Sequence, residues 1–169
     1  MKKILAFYVF IFASSILFAQ SNSVLATGKW YKFRIDTTGI FKLDRSFLQS
    51  LGINTNTINP QQIKIYGNGG LMLPQPNNES RFDDLQEVSI YVEGESDGSF
   101  DANDFVLLYG LGPDSWNVNS NSGQVSHVKN IFSDYAYYFI NVEGVNGKRI
   151  TDRAAVTGTS SLTITTYDD

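Results

Sequence analysis

The sequence predicts an all-β fold, an antiparallel β-sandwich or a related barrel, with one short helix at about residues 44–51. Two observations lead to this prediction. Short segments of alternating apolar and polar residues recur along the chain, separated by clusters of Gly, Pro, Asn and Ser. Only one segment after the N-terminus has helical periodicity. Many short strands with almost no helix are typical of sandwiches and barrels.

The first strands are predicted in Trp30–Leu43. Tyr31, Phe33 and Ile35 alternate with polar residues, so they share one face of a strand. Residues 37–39 are a turn signal, and apolar residues resume after it. The pattern predicts that Trp30–Leu43 forms a β-hairpin.

The helix is predicted directly after this segment. Asp44 is a good N-cap residue, and Phe47, Leu48 and Leu51 give the next turns an apolar stripe. Gly52 is a typical helix terminator.

Further alternating or apolar runs predict five more strands: Ile63–Tyr66, Glu87–Val92, Phe105–Tyr109, Tyr135–Val142 and Leu162–Tyr167. Phe105–Tyr109 is apolar throughout, which predicts a central strand buried on both faces. Gly67–Gly70 predicts a tight turn, and Asn117–Gly123 predicts a polar loop.

The N-terminus has the pattern of a cleaved signal peptide. Lys2 and Lys3 precede the apolar run Ile4–Phe18, and the small residue Ala19 follows it. We therefore expect residues 1–19 to be removed and the protein to be exported to the periplasm, the outer membrane or the cell surface. A retained anchor is the alternative. No later segment is long and apolar enough to span a bilayer.

Length and charge restrict the classes of function. Without residues 1–19 about 150 residues remain, enough for one domain with its own core. The net charge is −4, and removal of Lys2 and Lys3 makes it more negative, which argues against binding to nucleic acid or anionic lipid. The chain has no cysteine and a single histidine, His127, so it offers no cysteine nucleophile.

One acidic segment, Glu93–Asp104, has the spacing of a calcium-binding loop. Its oxygen ligands would come from positions 1, 3, 5, 7, 9 and 12, with Gly98 at the sharp turn. The candidate ligands are Glu93, Glu95, Asp97, Ser99, Asp101 and Asp104. Calcium is the only cofactor that the sequence suggests.

A second interpretation of Glu93–Asp104 is the acidic loop of a β-hairpin. Position 1 carries Glu where Asp is usual, position 12 carries Asp where Glu is usual, and strands flank the segment. In a hairpin loop Asp97 and Gly98 would form the turn, and Asp101 and Asp104 would accept hydrogen bonds from nearby backbone amides. We favour this interpretation and keep calcium as the alternative.

Aromatic residues are frequent, and two interpretations apply to them. On an exposed face they would suit sugar binding, whereas on strands they more often form the core and cross-strand pairs, which we favour. The residues concerned are Trp30, Trp116, Tyr135, Tyr137, Tyr138 and Phe139.

Five segments in order resemble the N-terminal region of the type IX secretion sortases, the PorU family of Bacteroidetes, which are relatives of the gingipain cysteine peptidases. The segments are Gly28–Leu43, Ile63–Gly70, Asp83–Gly94, Asp97–Gly110 and Gly112–Trp116. The resemblance covers nearly all of residues 28–169.

The resemblance implies that residues 28–169 form a non-catalytic N-terminal β domain, truncated before a downstream caspase-like peptidase domain. That domain would be its partner, together with other components of the secretion or attachment machinery. The full-length family cleaves the C-terminal sorting domains of cargo and attaches the cargo to surface lipopolysaccharide. The family's catalytic Cys and His have no matching positions in this chain.

Two other functions remain open. The chain could be a free-standing adhesion or carbohydrate-binding module stabilised by calcium. Alternatively, it could be an inhibitory pro-domain, because the pro-domains of gingipain relatives present a basic side chain to the peptidase. Lys148, Arg149 and Arg153 are the candidates for that role, although we favour an ordinary solvated turn as the explanation of these residues.

Overall fold

The structure, a computed structural model, describes residues 23–155, 157 and 158. The predicted signal peptide at 1–19 and the predicted strand Leu162–Tyr167 lie outside these residues. The one α-helix of the described chain is α1, Arg45–Ser50, and short 3₁₀ turns occupy Val24–Ala26, Pro60–Gln62 and Glu95–Asp97. The strands are β1 (Tyr31–Ile35), β2 (Gly39–Asp44), β3 (Lys64–Tyr66), β4 (Glu87–Val88), β5 (Tyr91–Glu93), β6 (Phe105–Gly110), β7 (Ser115–Val118), β8 (Val125–Val128) and β9 (Ala136–Asn141).

The strands form two main antiparallel sheets, which confirms the predicted all-β, sandwich-like fold. The four-stranded sheet has the order β1-β9-β3-β4, and the three-stranded sheet has the order β2-β6-β5. Strands β7 and β8 form a separate two-stranded ribbon. Buried side chains from both sheets form one hydrophobic cluster, which includes Phe33, Ile65, Tyr138, Ile140, Leu43, Val92, Val106 and Leu108.

The predicted helix is confirmed, and its N-cap explains where it starts. The Asp44 carboxylate accepts a hydrogen bond of 2.8 Å from the Phe47 amide and another from the Ser46 hydroxyl. These bonds lower the pKa of Asp44. Leu48 is fully buried in the core. Gly52 follows the end of the helix and has a φ of +89°. No helix among the described residues has the length and apolarity that a membrane span requires.

The predicted hairpin at Trp30–Leu43 is wrong, because its two strands belong to different sheets. β1 pairs with β9, whereas β2 pairs with β6. Between them the chain crosses from one sheet to the other, and the Thr38 hydroxyl accepts a hydrogen bond of 2.9 Å from the Gly112 amide at this crossing. Alternation in the sequence shows which face of a strand is buried and does not show which strand is its partner.

Two other predicted strands differ from the structure. Glu87–Val92 divides into β4 in one sheet and β5 in the other, with the fully buried Ile90 between them. Strand β6 is central in its sheet, as predicted, but only one of its faces is buried, and Tyr109 is 55% exposed on the other. The outer face of the three-stranded sheet therefore carries apolar residues that are not core.

The segment Gly67–Gly70 is not the predicted tight turn, because β3 and β4 are joined by a long connection instead. Only Gly69 has a positive φ, of +76°. At Gly67 a Cβ would stand 2.5 Å from the ring of Tyr138, and at Gly70 it would stand 2.5 Å from Cβ of Ala136. These two glycines are therefore required by close packing against β9.

The predicted polar loop Asn117–Gly123 begins inside a strand. Strand β7 continues to Val118, and the loop that follows joins it to β8. Asn119 closes this loop, since its side-chain oxygen accepts hydrogen bonds from the amides of Asn121 and Ser122.

We predict that Tyr138→Phe destabilises the domain. The Tyr138 hydroxyl donates to the Leu111 carbonyl at 3.1 Å and accepts from the Leu111 amide at 2.7 Å, which links β9 to the end of β6. Loss of both bonds is expected to lower the free energy of unfolding by about 1–2 kcal/mol, measured by urea titration. Tyr137→Phe is the matched control, because the Tyr137 side chain lies on the outer face of the same strand. Equal unfolding midpoints for the two variants would contradict the prediction.

Tyr138 should also make the stability of the domain depend on pH. Burial raises the pKa of the Tyr138 phenol, against an opposing effect of the Leu111 amide. The stability that follows from a raised pKa is fully present below the unfolded-state pKa of about 10 and is lost as pH rises through the folded-state value. Above about pH 10, the wild type should therefore lose stability more steeply with pH than Tyr138→Phe.

Candidate functional site

The acidic segment Glu93–Asp104 is the connection between two paired strands. Glu93 at the end of β5 lies opposite Phe105 at the start of β6, so the segment closes a β-hairpin, as the second interpretation expected. Gly94 and Gly98 have φ values of +81° and +78° and flank the 3₁₀ turn. A Cβ at Gly94 would collide with the carboxylate of Asp104, so the loop folds tightly around that side chain.

The carboxylates of this loop have partners within the domain. Asp104 is buried and accepts a hydrogen bond of 2.6 Å from the Asp101 amide. Asp97 accepts one of 2.9 Å from the Ser99 amide, and the Ser99 hydroxyl donates to Asp101 at 3.4 Å. These bonds are those of a hairpin loop, in which Asp side chains satisfy local backbone amides.

The two glutamates of the loop point to other partners. Glu93 accepts a hydrogen bond from the Tyr91 hydroxyl, which raises the pKa of Tyr91. Glu95 forms an ion pair with Arg149, with 2.7 Å between Oε2 and Nε. Within residues 23–155, 157 and 158, no three Asp, Glu or His side chains are grouped so as to hold a metal ion. Calcium binding by this loop stays a prediction.

Arg149, one of the three basic residues considered for inhibition, is directed into the domain. Besides its pair with Glu95, its guanidinium donates to the carbonyls of Pro60 and Gln61 at 3.0 and 2.8 Å, and to that of Ile63 at 3.2 Å. Lys148 and Arg153 are exposed at the surface. The inhibitory hypothesis stays a prediction, and those two residues are the ones accessible to a peptidase.

The aromatic residues divide between the core and the surface. Tyr138 is buried and stacks against Phe33 at 5.7 Å, as the core interpretation expected. On the outer face of the four-stranded sheet, the ammonium of Lys32 lies 3.8 Å from the centre of the Tyr137 ring. The guanidinium of Arg34 lies 4.0 Å from the centre of the Tyr135 ring. These cation–π pairs cover the middle of this face.

Trp116 lies on the ribbon of β7 and β8 and is 69% exposed. Its ring lies 4.7 Å from that of His127 on the paired strand. His127 also faces Asp114, with 3.5 Å between Nε2 and Oδ2. The single histidine of the chain therefore lies in an exposed cross-strand pair.

An apolar groove beside the same sheet face was not predicted from the sequence. It has a volume of about 590 Å³, and its floor includes Tyr137 and Phe139 of β9. Leu73 and Phe132, which line it from two loops, are 70% and 75% exposed. The sequence signal for this groove would have been apolar residues within loops. Such residues have no periodicity, so the sequence does not show that they share one surface. We call this surface, lined by Leu71, Leu73, Leu85, Phe132, Tyr137 and Phe139, the apolar groove.

We predict that Arg149→Lys lowers the free energy of unfolding by about 2–3 kcal/mol. Lysine keeps the positive charge but cannot donate in a fork to three carbonyls and a carboxylate at once. The measurement is the midpoint of urea unfolding. Arg153→Lys, at an exposed position four residues away, should change the midpoint negligibly. A similar midpoint for both variants would show that the Arg149 contacts contribute nothing.

The calcium hypothesis predicts a higher thermal unfolding midpoint in millimolar calcium than in chelator, because a ligand that binds only the folded state stabilises it. Replacement of Asp101 by Asn should reduce the increase. An unchanged midpoint at millimolar calcium would eliminate the site. Magnesium at the same concentration is the control for general screening of the acidic loop.

The chain was compared with known proteins. No protein family matches it, and no curated protein matches it. Among solved structures, the crystal structure of dimeric latent PorU from Porphyromonas gingivalis has a similar fold, with a TM-score of 0.60 and 24% sequence identity. The match covers 78% of this chain and 11% of that protein, so this chain spans a small part of its length. The resemblance seen in the sequence is thus confirmed at the level of the fold.

Proposed function

We propose that this chain is a non-catalytic β domain of a larger type IX secretion sortase. The observation that carries the proposal is the similarity to PorU over 78% of the chain, which agrees with the order of the five sequence segments. The matched part is 11% of PorU, so an equivalent domain would be a small part of a multidomain protein. Cleavage of sorting domains and attachment of cargo to lipopolysaccharide would be activities of the whole protein.

The role of this domain would be to pack against a neighbouring domain of the same protein. Its own residues do not supply a cysteine peptidase site, because the chain has no cysteine and its histidine lies in the exposed pair with Trp116. Export to the periplasm, the outer membrane or the cell surface is part of the same proposal, and it depends on the sequence pattern of residues 1–19.

The apolar groove is the surface that we assign to this contact. The exposed apolar residues Leu71, Leu73, Phe132 and Tyr137 lie together there, and patches of this kind mark interfaces between domains or proteins. Leu73 and Phe132 project from two loops beside a floor of aromatic side chains, so a neighbouring domain could bury both at once. The occupant would be the domain next to this one in the longer protein.

The gene gives a direct test of the multidomain proposal. Its reading frame should continue beyond the codon for Asp169 and encode a domain that contains the Cys and His of a caspase-like peptidase. A stop codon directly after Asp169 in the natural gene would contradict the proposal.

The groove is tested in the full-length protein with the double variant Leu73→Asp and Phe132→Asp. Each Asp would place an unpaired carboxylate in the interface, so we expect limited proteolysis between the domains to become about tenfold faster or more. Ile40→Asp, at an exposed position on the three-stranded sheet, is the control and should leave the rate unchanged. Equal protection of the double variant and the wild type would place the interface elsewhere.

A further inference from the structure

Lys64 is a buried lysine on β3. It is 8% exposed, and its side chain lies on the outer face of the four-stranded sheet, since Ile65 next to it faces the core. A Cβ at Gly147 would stand 2.8 Å from Cγ of Lys64, so the segment after β9 covers the aliphatic stem. The ammonium donates one hydrogen bond of 2.6 Å, to the backbone carbonyl of Glu143.

No carboxylate oxygen lies within 4.0 Å of this ammonium among the described residues, although Glu143 lines the same pocket. Among residues 23–155, 157 and 158, the lysine and arginine ion pairs join Lys129 to Asp134 and Arg149 to Glu95. Lys64 has one neutral acceptor for three N–H donors. A buried charge without a counter-ion is unfavourable, and an anion bound beside it removes much of that cost.

A pocket of about 360 Å³ opens beside Lys64. Trp30 and Tyr66 line it, with their ring centres 5.2 Å apart and their planes at 80°, and Asn141 and Glu143 line it as well. This volume is within the range of small-molecule sites, which combine apolar walls with a few polar groups. Its lining reaches Asn141 at the end of β9, whereas the apolar groove is lined by earlier residues of that strand up to Phe139.

Three other polar side chains of this pocket already form hydrogen bonds. The Trp30 indole N–H donates to the Thr27 carbonyl at 2.7 Å, and the Tyr66 hydroxyl donates to the Glu87 carboxylate at 3.4 Å. The Asn141 amide donates to the Lys29 carbonyl and accepts from the Glu143 amide, both at 3.1 Å. Lys64 is the positively charged residue of this lining, and it keeps N–H donors for a ligand.

We propose that this pocket binds a small monocarboxylate with a planar or apolar body. The carboxylate would accept hydrogen bonds from the Lys64 ammonium, and the body would lie against Trp30 and Tyr66. Two carboxylates near the pocket limit the ligand to a single negative charge. Glu143 lines the pocket near Gly28 and Lys29, and Glu87 is bonded to Tyr66. Phosphate dianions would be repelled more strongly by both.

The experiment uses the full chain and benzoate as the probe, with its neutral analogue benzamide as the ligand control. The readout is the NMR signal of the Trp30 indole N–H, assigned with a Trp116→Phe variant. Benzoate should shift this signal saturably, and benzamide should bind at least about tenfold more weakly, since it lacks the charge that Lys64 pairs with. An equal response to both probes, or no response to benzoate, would overturn the proposal.

Two variants connect the response to Lys64. Lys64→Met should weaken benzoate binding at least about tenfold, whereas Lys32→Met, on the same sheet face but outside the pocket, should not change it. Glu143→Gln keeps the backbone carbonyl that Lys64 bonds and removes a nearby negative charge, so it should tighten binding. If Lys64→Met does not fold, the test depends on Glu143→Gln. Benzoate affinity in that variant that is equal to or weaker than in the wild type would contradict the proposal.

Discussion

The contacts of one guanidinium hold together parts of the domain that are far apart in the sequence. Arg149 lies after the last described strand, and it bonds three carbonyls in Pro60–Ile63 before β3 and the carboxylate of Glu95 between β5 and β6. Residues 60–63 lead into the four-stranded sheet, and Glu95 belongs to the hairpin of the three-stranded sheet. Arg149 thus fixes the two sheets to each other, with each donor of its fork directed at a defined acceptor.

The backbone around Arg149 strengthens the same junction. The Ile90 amide donates to the Lys148 carbonyl at 3.2 Å, and the Ile150 amide donates to the Ile90 carbonyl at 2.9 Å. Ile90 is fully buried at the point where the chain leaves β4 and enters β5 in the other sheet. A strand that changes sheets leaves backbone groups without ladder partners, and this short parallel contact satisfies them. Arg149 and Ile150 are therefore tied into the fold, whereas Lys148 beside them is exposed.

Features that depend on neighbouring residues could be predicted from the sequence, whereas features that depend on residues far apart in the chain could not. The helix at Asp44 and the alternation in β9 follow from neighbouring residues, and both were found in the sequence. The partners of β1 and β2, the division of Glu87–Val92 and the role of Arg149 depend on residues dozens of positions away. The acidic loop shows the same limit, because its sequence favours a hairpin but leaves calcium binding open as the alternative. The register of Glu93 opposite Phe105 and the pairing of Glu95 with Arg149 appear only in the fold.

The outer face of the four-stranded sheet departs most from what a sandwich requires. Outward residues of such a sheet need only be polar, yet this face carries Tyr66, Tyr135, Tyr137 and Phe139 with lysine and arginine among them. Lys32 and Arg34 lie over the rings of Tyr137 and Tyr135, and the apolar groove and the Lys64 pocket lie beside them. Stability alone would be served by fewer aromatic side chains and by a paired or exposed Lys64. This sheet carries an apolar groove and a lysine ammonium without a close carboxylate partner in the described part of the chain. Contact with another molecule or domain would explain both features.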